Sequence, residues 1–306
     1  MICQGWRLRV LSWFALCLTC SPLFAANVST HFFTNREGLR LHYLEAGRGA
    51  RTIVFVPGWL MPAAVFRLQL EALGDEFRVL AFDPRSQGES EVSSGSHDPQ
   101  RRLADMEDFL HAAGVSDYVL AGWSLGVLEV LDFIERRPQS GLRGLILIDN
   151  SIGEGTPPPP RSGKSFADLS DLKRREAYLR SFCRGIFRWP PPPDIADAVL
   201  RSALRVPDRA ARQLIAQPYP RTYWRDIVAK QEVPVLYAIR PRLREQGDAL
   251  LQRKGSLAEV ALFEEAGHTL FVDDALRFND LAGRFARSAF RAPGRDARPA
   301  SNAPPS

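Results

Sequence analysis

The sequence predicts an α/β fold: a mostly parallel sheet with helices on both faces and a helical lid inserted before the penultimate strand. Three observations carry this. Short, wholly apolar runs recur along the chain, each ended by a turn residue or a charged residue. Amphipathic helical patterns lie between them. A long helical interruption, rich in Pro and Arg, separates the fourth such run from the fifth. Runs of this length suit strands buried on both faces of a parallel sheet, and strand–helix alternation implies right-handed crossovers.

From Arg40 to Leu44 the pattern alternates as in a half-buried strand, and Gly47 to Gly49 reads as a turn. The apolar runs then follow in order: Ile53–Val56 ended by Pro57-Gly58, Val79–Phe82 by Asp83-Pro84, Tyr118–Ala121 by Gly122, Leu145–Ile148 by Asp149. Val235–Ile239 ends at Arg240-Pro241, and Val260–Phe263 at Glu264. Leu103, Met106, Phe109, Leu110 and Ala113 share one helical face, as do Val127, Leu128, Leu131 and Ile134. Leu276, Leu281 and Phe285 mark a closing helix. The interruption contains Pro157–Pro160 and Pro190–Pro193, with helical spacing at Leu169, Leu172, Ala177 and Leu179 and at Ile195, Val199 and Leu204. The expected organisation is a core over residues 27–153 and 227–290, a helical cap or lid over 154–226, and a disordered Pro/Ala/Arg/Ser tail over 291–306.

Residues 1–26 have the anatomy of a secretory signal peptide: Arg7 and Arg9, the apolar run Val10–Leu18, the break at Ser21-Pro22, and Ala25-Ala26. Cleavage after Ala25 or Ala26 is expected. Lipid attachment at Cys17 or Cys20, or an uncleaved anchor, are the alternatives. The apolar run is short for a membrane span, and no span is expected once the leader is removed. Of the four cysteines only Cys183 lies beyond the leader, which excludes an internal disulfide and a thiolate metal cluster in the mature chain. An exported destination, periplasmic or secreted, follows. The net charge of +5 arises from 40 basic and 35 acidic residues, well mixed, without the basic block and interleaved aromatics of a nucleic-acid surface.

Gly122-Trp123-Ser124-Leu125-Gly126 follows a buried run and opens an amphipathic helix. A serine on such a sharp turn has its hydroxyl pushed out of the sheet edge. Flanking glycines are needed where a side chain would strike the neighbouring strand and helix. The helix N-terminus favours developing negative charge, and the Leu125 N–H becomes an oxyanion donor.

Four motifs, in order, resemble the α/β-hydrolase superfamily, and within it the single-domain esterase and haloperoxidase-like branch, over about residues 36–290. Pro57-Gly58-Trp59 sits where that family has His-Gly-x. Asp83-Pro84-Arg85-Ser86-Gln87-Gly88-Glu89-Ser90 is similar to its D-x-R-G-x-G-x-S loop. Gly122–Gly126 is the nucleophile turn, and Gly267-His268 resembles its C-terminal G-H. The resemblance implies a second oxyanion donor at the Trp59 N–H, and structural roles for Arg85 and the Gly88-Glu89-Ser90 turn. It also implies the triad order Ser, acid, His. Of five histidines, His31, His42, His97 and His111 precede Ser124, so only His268 satisfies that order. The acid is open. The family usually has an Asp shortly after the strand matching Val235–Ile239, where this chain has Arg240-Pro241-Arg242-Leu243-Arg244-Glu245. Asp149, at the end of the preceding strand, is the first candidate and Glu245 the second.

The expected activity is hydrolysis of a carboxylic ester or related acyl compound through an acyl-Ser124 intermediate, with a small-molecule substrate and no metal or organic cofactor. A cofactor-free peroxidase side activity of the same triad is a related reading. Haloalkane dehalogenation needs a carboxylate where Ser124 stands. The alternative of another class is a non-catalytic binding protein of the same fold with a degenerate triad. Phe182, Phe187, Trp189, Tyr219, Tyr223 and Trp224 of the lid are candidates for an acyl pocket or for the lid's own core.

Overall fold

The computed structural model describes residues 26–137, 140–156, 172–216 and 218–292. The expected leader (up to residue 25), the first proline cluster of the lid with Leu169, and the tail from residue 293 lie outside the described residues.

Among the described residues, eight strands form one sheet: β1 (Ser29–Thr34), β2 (Arg40–Ala46), β3 (Thr52–Val56), β4 (Arg78–Asp83), β5 (Tyr118–Trp123), β6 (Leu142–Ile148), β7 (Val235–Ile239) and β8 (Ala258–Leu262). Their order is β1-β2-β4-β3-β5-β6-β7-β8. β1 and β2 pair antiparallel, β2 and β4 also do, and every other pairing is parallel. Each apolar run is continuous because its alternate residues enter two different cores. Ile53, Phe55, Val119 and Ala121 join one cluster. Val54, Val56, Tyr118 and Leu120 join the other, on the opposite face.

The helices are α1 (Arg67–Leu73), α2 (Pro99–Ala112), α3 (Leu125–Arg136), α4 (Leu172–Gly185), α5 (Pro193–Arg205), α6 (Asp208–Ile215), α7 (Arg221–Lys230), α8 (Arg244–Lys254), α9 (Leu270–Asp273) and α10 (Ala275–Arg291). α2 starts where Asp98 accepts the Arg101 N–H at 3.1 Å and Pro99 takes the first helical position. Its buried Leu103, Met106, Phe109 and Leu110 are the face expected from the sequence. In α10 that face is Phe278, Leu281, Ala282, Phe285 and Ala286, and Leu276 is 89% exposed. Leu276 and Leu281 are five residues apart, so at 3.6 residues per turn they point well away from each other.

The strand β1 and the helices α1, α8 and α9 were absent from the sequence reading. β1 is an edge strand whose residues are exposed or half-buried, so its alternation is faint. α8 buries only Gln246, Gly247 and Leu250, and its strongly charged remainder hides the helical stripe.

Helices α4 to α7 occupy the chain between β6 and β7. The expected boundary between residues 226 and 227 falls inside α7. Its Trp224, Ile227 and Val228 enter the core cluster shared with α3. Tyr219 stacks on Tyr223, both meet Trp224 edge-on, and the Tyr223 hydroxyl donates to Asp132 of α3 at 2.6 Å. These three rings are therefore core packing on the α3 side and not an acyl pocket. Leu179, Ile195 and Val199 bury into the other cluster, which holds Trp59 and Leu125, whereas Ala177 is exposed.

The loop after β4 is built as a buried polar knot. Arg85 pairs with Asp105 at 2.5 Å, and the Ser90 hydroxyl donates to the Asp83 carbonyl at 2.6 Å. Ser86 has a φ of +69°, at the motif position where a glycine is usual, and its hydroxyl lies 2.8 Å from His97 Nε2. Burial, aided by the charge of Arg85, pushes His97 down to about 4. The unfolded chain therefore binds a proton that the native state rejects. The stability this histidine supplies is complete above about pH 6.5 and is lost as pH falls towards 4, a difference of about 3 kcal/mol. Urea unfolding at pH 7 and pH 4 is expected to show that loss in the wild type, and a smaller loss in His97→Asn.

Candidate active site

Register brings the site together before any side chain is considered. Trp123 of β5 pairs with Ile148 of β6, and Ile148 pairs with Ala238 of β7. The residues just beyond these pairs are Ser124, Asp149 and, one further along β7, Arg240. All three stand at the carboxyl ends of adjacent parallel strands, where ligand sites of such sheets form.

Ser124 has φ 54° and ψ −120°, a conformation that costs a non-glycine residue of order 1–3 kcal/mol. Local hydrogen bonds hold it. Its N–H donates to the Ile148 carbonyl at 3.0 Å, and its carbonyl accepts from Val127 N–H at 3.0 Å and from Asn150 Nδ2 at 2.7 Å. The flanking glycines answer to close approach. A Cβ on Gly122 would lie 2.4 Å from the Gly126 carbonyl oxygen, and one on Gly126 would lie 2.3 Å from that of Val56. The turn leaves Ser124 partly exposed at the N-terminus of α3.

His268 follows β8 and lies on the loop that enters α9. Its Nε2 is 2.9 Å from Ser124 Oγ, and its Nδ1 is 2.6 Å from Asp149 Oδ2. The Trp123 indole N–H donates to the His268 carbonyl at 2.8 Å and its ring lies 5.2 Å from the imidazole, so the residue before Ser124 also seats the histidine. Asp149 is wholly buried with a positive φ of 45°, which Asp tolerates better than most residues. Burial alone would raise its carboxyl. The His268 hydrogen bond, and the charges of His268, Arg240 and Arg242, outweigh burial and hold it below its ordinary value. Burial, the larger effect, lowers His268, and the two arginines add to that against the opposing Asp149.

The second candidate acid does not join this group. Glu245 lies exposed in the first turn of α8 and accepts the Thr156 N–H at 2.9 Å. Leu243, near the family's usual acid position, is fully buried.

Gly58 brings the loop after β3 against the nucleophile: a Cβ there would lie 3.0 Å from Ser124 Cβ. This places the backbone of Gly58, which precedes Trp59, beside Ser124, whose own next residue, Leu125, opens α3. N–H groups in a first turn have no acceptor within their own helix. Gln87 pins the loop, accepting the Leu60 N–H at 2.8 Å and donating to the Gly58 and Met61 carbonyls at 3.3 and 3.2 Å. From α5, the Ser202 hydroxyl donates to the Leu60 carbonyl at 2.7 Å and accepts the Gly88 N–H at 2.9 Å. The Trp59 indole donates to the Ala211 carbonyl of α6 at 2.7 Å, and its ring meets Phe182 edge-on at 5.4 Å. Among the described residues, no grouping of three or more His, Cys, Asp or Glu side chains could hold a metal ion.

Residues 53–281 match the model of the "Alpha/beta hydrolase family". The chain belongs to that family. It is 21% identical over 267 residues to the AB hydrolase superfamily protein YisY of Bacillus subtilis, covering 84% of this chain and 99% of that protein. An esterase of Exiguobacterium antarcticum superposes with a TM-score of 0.69 at 18% identity, covering 84% of this chain and 98% of the other. A bromoperoxidase of Bacillus anthracis does so at 0.67 and 19%, covering 85% and 100%. At these identities the likeness to solved structures speaks for the α/β-hydrolase fold.

Within this α/β hydrolase, three positioning groups escaped the sequence reading. Asn150 holds the Ser124 carbonyl, and its place directly after Asp149 at a strand end was the available signal. Arg240 was visible only as a departure from the family pattern. Asp273 had no signal. Its carboxylate accepts the N–H groups of Gly267 at 2.8 Å, Arg188 at 3.0 Å and Trp189 at 3.2 Å, joining the His268 loop to the segment between α4 and α5. Asp273→Ala strands three amides at once. It is expected to cost about 2 kcal/mol of stability in urea unfolding. Once an activity assay is in hand, it should also lower kcat by about tenfold through a displaced imidazole.

Proposed function

We propose that this α/β hydrolase is an exported serine hydrolase acting on carboxylic esters or related acyl compounds through an acyl-Ser124 intermediate. One observation carries the reading: the unbroken hydrogen-bond chain from Ser124 Oγ through His268 to Asp149, at 2.9 and 2.6 Å, on a strained strand-to-helix turn.

The steps follow from the atoms. His268 Nδ1 bears the proton shared with Asp149, because a carboxylate can only accept. Nε2 is therefore unprotonated and can take the Ser124 hydroxyl proton while Oγ attacks the acyl carbon. The charge that builds on the carbonyl oxygen meets the N–H groups of Trp59 and Leu125 and the positive end of α3. His268 then returns the proton to the departing alcohol, leaving acyl-Ser124. Water, deprotonated by the same Nε2, attacks that ester, and His268 returns the proton to Ser124 Oγ as the acid leaves. The leader-like residues 1–26 support export, and the lone Cys183 beyond them is compatible with it.

The test is hydrolysis of p-nitrophenyl acetate and butyrate by the mature protein, together with labelling by a fluorophosphonate. Turnover with a pre-steady-state burst of p-nitrophenol, and label on Ser124, are expected. Absence of both turnover and label would favour a non-catalytic binding protein of this fold.

A further inference from the structure

We propose that Arg240 is a positioning residue of this site: its guanidinium clamps the Asp149 carboxylate, which holds the imidazole in place, and stands beside His268 Nδ1, keeping the resting imidazole neutral to lower pH. The inference rests on the serine-hydrolase reading and adds a fourth member to its triad.

The geometry is specific. Arg240 Nε and Nη2 lie 2.7 and 2.6 Å from Asp149 Oδ2, the same oxygen that takes the His268 Nδ1 proton, and the Arg240 backbone N–H reaches Oδ1 at 3.2 Å. The carboxylate is thus held at both oxygens by one residue. Arg242 adds a longer contact, with Nη2 at 3.3 Å from the Asp149 carbonyl and 3.6 Å from Oδ2. Arg240 Nη2 is also 3.4 Å from His268 Nδ1. Since Nδ1 gives its proton to Asp149 at 2.6 Å, this is an approach of two donors and not a hydrogen bond. An imidazolium formed there would face a permanent cation at contact distance.

Two effects of this arrangement act in the same direction, against protonation of the imidazole. A free carboxylate makes the imidazole more basic. One already shared with a guanidinium has less charge to offer, while the guanidinium itself repels the second proton. The other groups facing His268 do not compensate. Ser124 is neutral, the Trp123 indole donates to the His268 carbonyl, and the Tyr237 hydroxyl is engaged by the Asn150 carbonyl at 2.6 Å. Asp273 on α9 spends its carboxylate on the amides of Gly267, Arg188 and Trp189, and Glu264 and Glu265 of the same loop are exposed. The direction found for His268, lowered by burial with both arginines contributing, agrees with the geometry.

The test has two readouts. In a Ser124→Ala background, NMR titration of the His268 ring is compared with and without Arg240→Met. In the active enzyme, the acid limb of kcat/KM is compared among wild type, Arg240→Met, Arg240→Lys and Arg242→Gln. Arg240→Met is expected to raise both the ring midpoint and the acid limb by about one pH unit. It should also lower kcat by about tenfold as Asp149 loses its anchor. Arg240→Lys keeps the charge without the planar fork, so the limb stays near wild type while kcat recovers only in part. Arg242→Gln shifts the limb the same way by less. A merely structural Arg240 would lower folded yield or kcat equally at every pH, and an unmoved midpoint and limb in Arg240→Met would overturn the proposal. Should that variant not fold, Arg240→Gln takes its place in both readouts, and an unmoved midpoint and limb there overturn the proposal. The ring titration needs no substrate, so a protein that hydrolyses no ester fails the functional reading while Arg240 is still judged.

Discussion

Ser124→Ala is expected to remove ester hydrolysis almost completely, by about 10⁴-fold or more in kcat, with folding unimpaired. The size follows from how the site divides its labour. The oxyanion donors and the binding surface survive the substitution, but no other hydroxyl stands within reach of His268 Nε2 in the described site, so covalent catalysis stops. The measurement is initial rate on p-nitrophenyl butyrate, beside mass analysis of fluorophosphonate-treated protein. A variant that retains a few per cent of the rate, or takes up label elsewhere, would move the nucleophile away from Ser124.

Asp149→Asn carries the second largest effect, a fall in kcat of about 10²- to 10⁴-fold. Oδ2 of Asp149 accepts from His268 Nδ1 and from Arg240 Nε and Nη2 together. An amide offers one oxygen, so its NH₂ faces either the Arg240 backbone N–H at the Oδ1 position or these three donors at the Oδ2 position. With the oxygen at the Oδ1 position, on the Arg240 backbone N–H, the NH₂ meets Nδ1 and selects the imidazole tautomer with its proton on Nε2, which cannot accept from Ser124. Removing the carboxylate also leaves Arg240 and Arg242 facing a neutral group, which is expected to lower stability by a few kcal/mol. Glu245→Gln is the control. Its carboxylate lies on Thr156 at the protein surface, and its rate is expected to match wild type. Equal losses in both variants, or a loss confined to Glu245→Gln, would displace Asp149 from the role.

The sequence made some of this legible and left the rest dark for identifiable reasons. Ser124 and His268 were singled out by local signals, a turn with two glycines and the only histidine late enough in the chain. The acid remained a choice of two, because distance along the chain does not say which strand end lies beside which. That knowledge resides in the pairing of Ile148 with Trp123 and with Ala238. Arg240 looked like a defect for the same reason: the residue it serves is 91 positions away. The parallel sheet was readable because strands buried on both faces have no polar positions to break their runs. β1 was not, since an edge strand half in water has little pattern to show. α8 failed in the opposite way, its few buried residues outnumbered by charges.

The ties between α4–α6 and the site bear on how such an enzyme could be re-engineered. Substrate range in a capped fold invites exchange of the cap as a cassette. Here the cap is also scaffolding. Ser202 braces the loop that carries Trp59, the Ala211 carbonyl anchors the Trp59 indole, and the Ile186 carbonyl accepts both the N–H and the hydroxyl of Thr269, next to His268. A graft chosen only for the shape of its pocket would discard these braces. One that retains a hydroxyl at position 202, with carbonyls presented as at positions 186 and 211, could be varied freely on the face turned towards substrate.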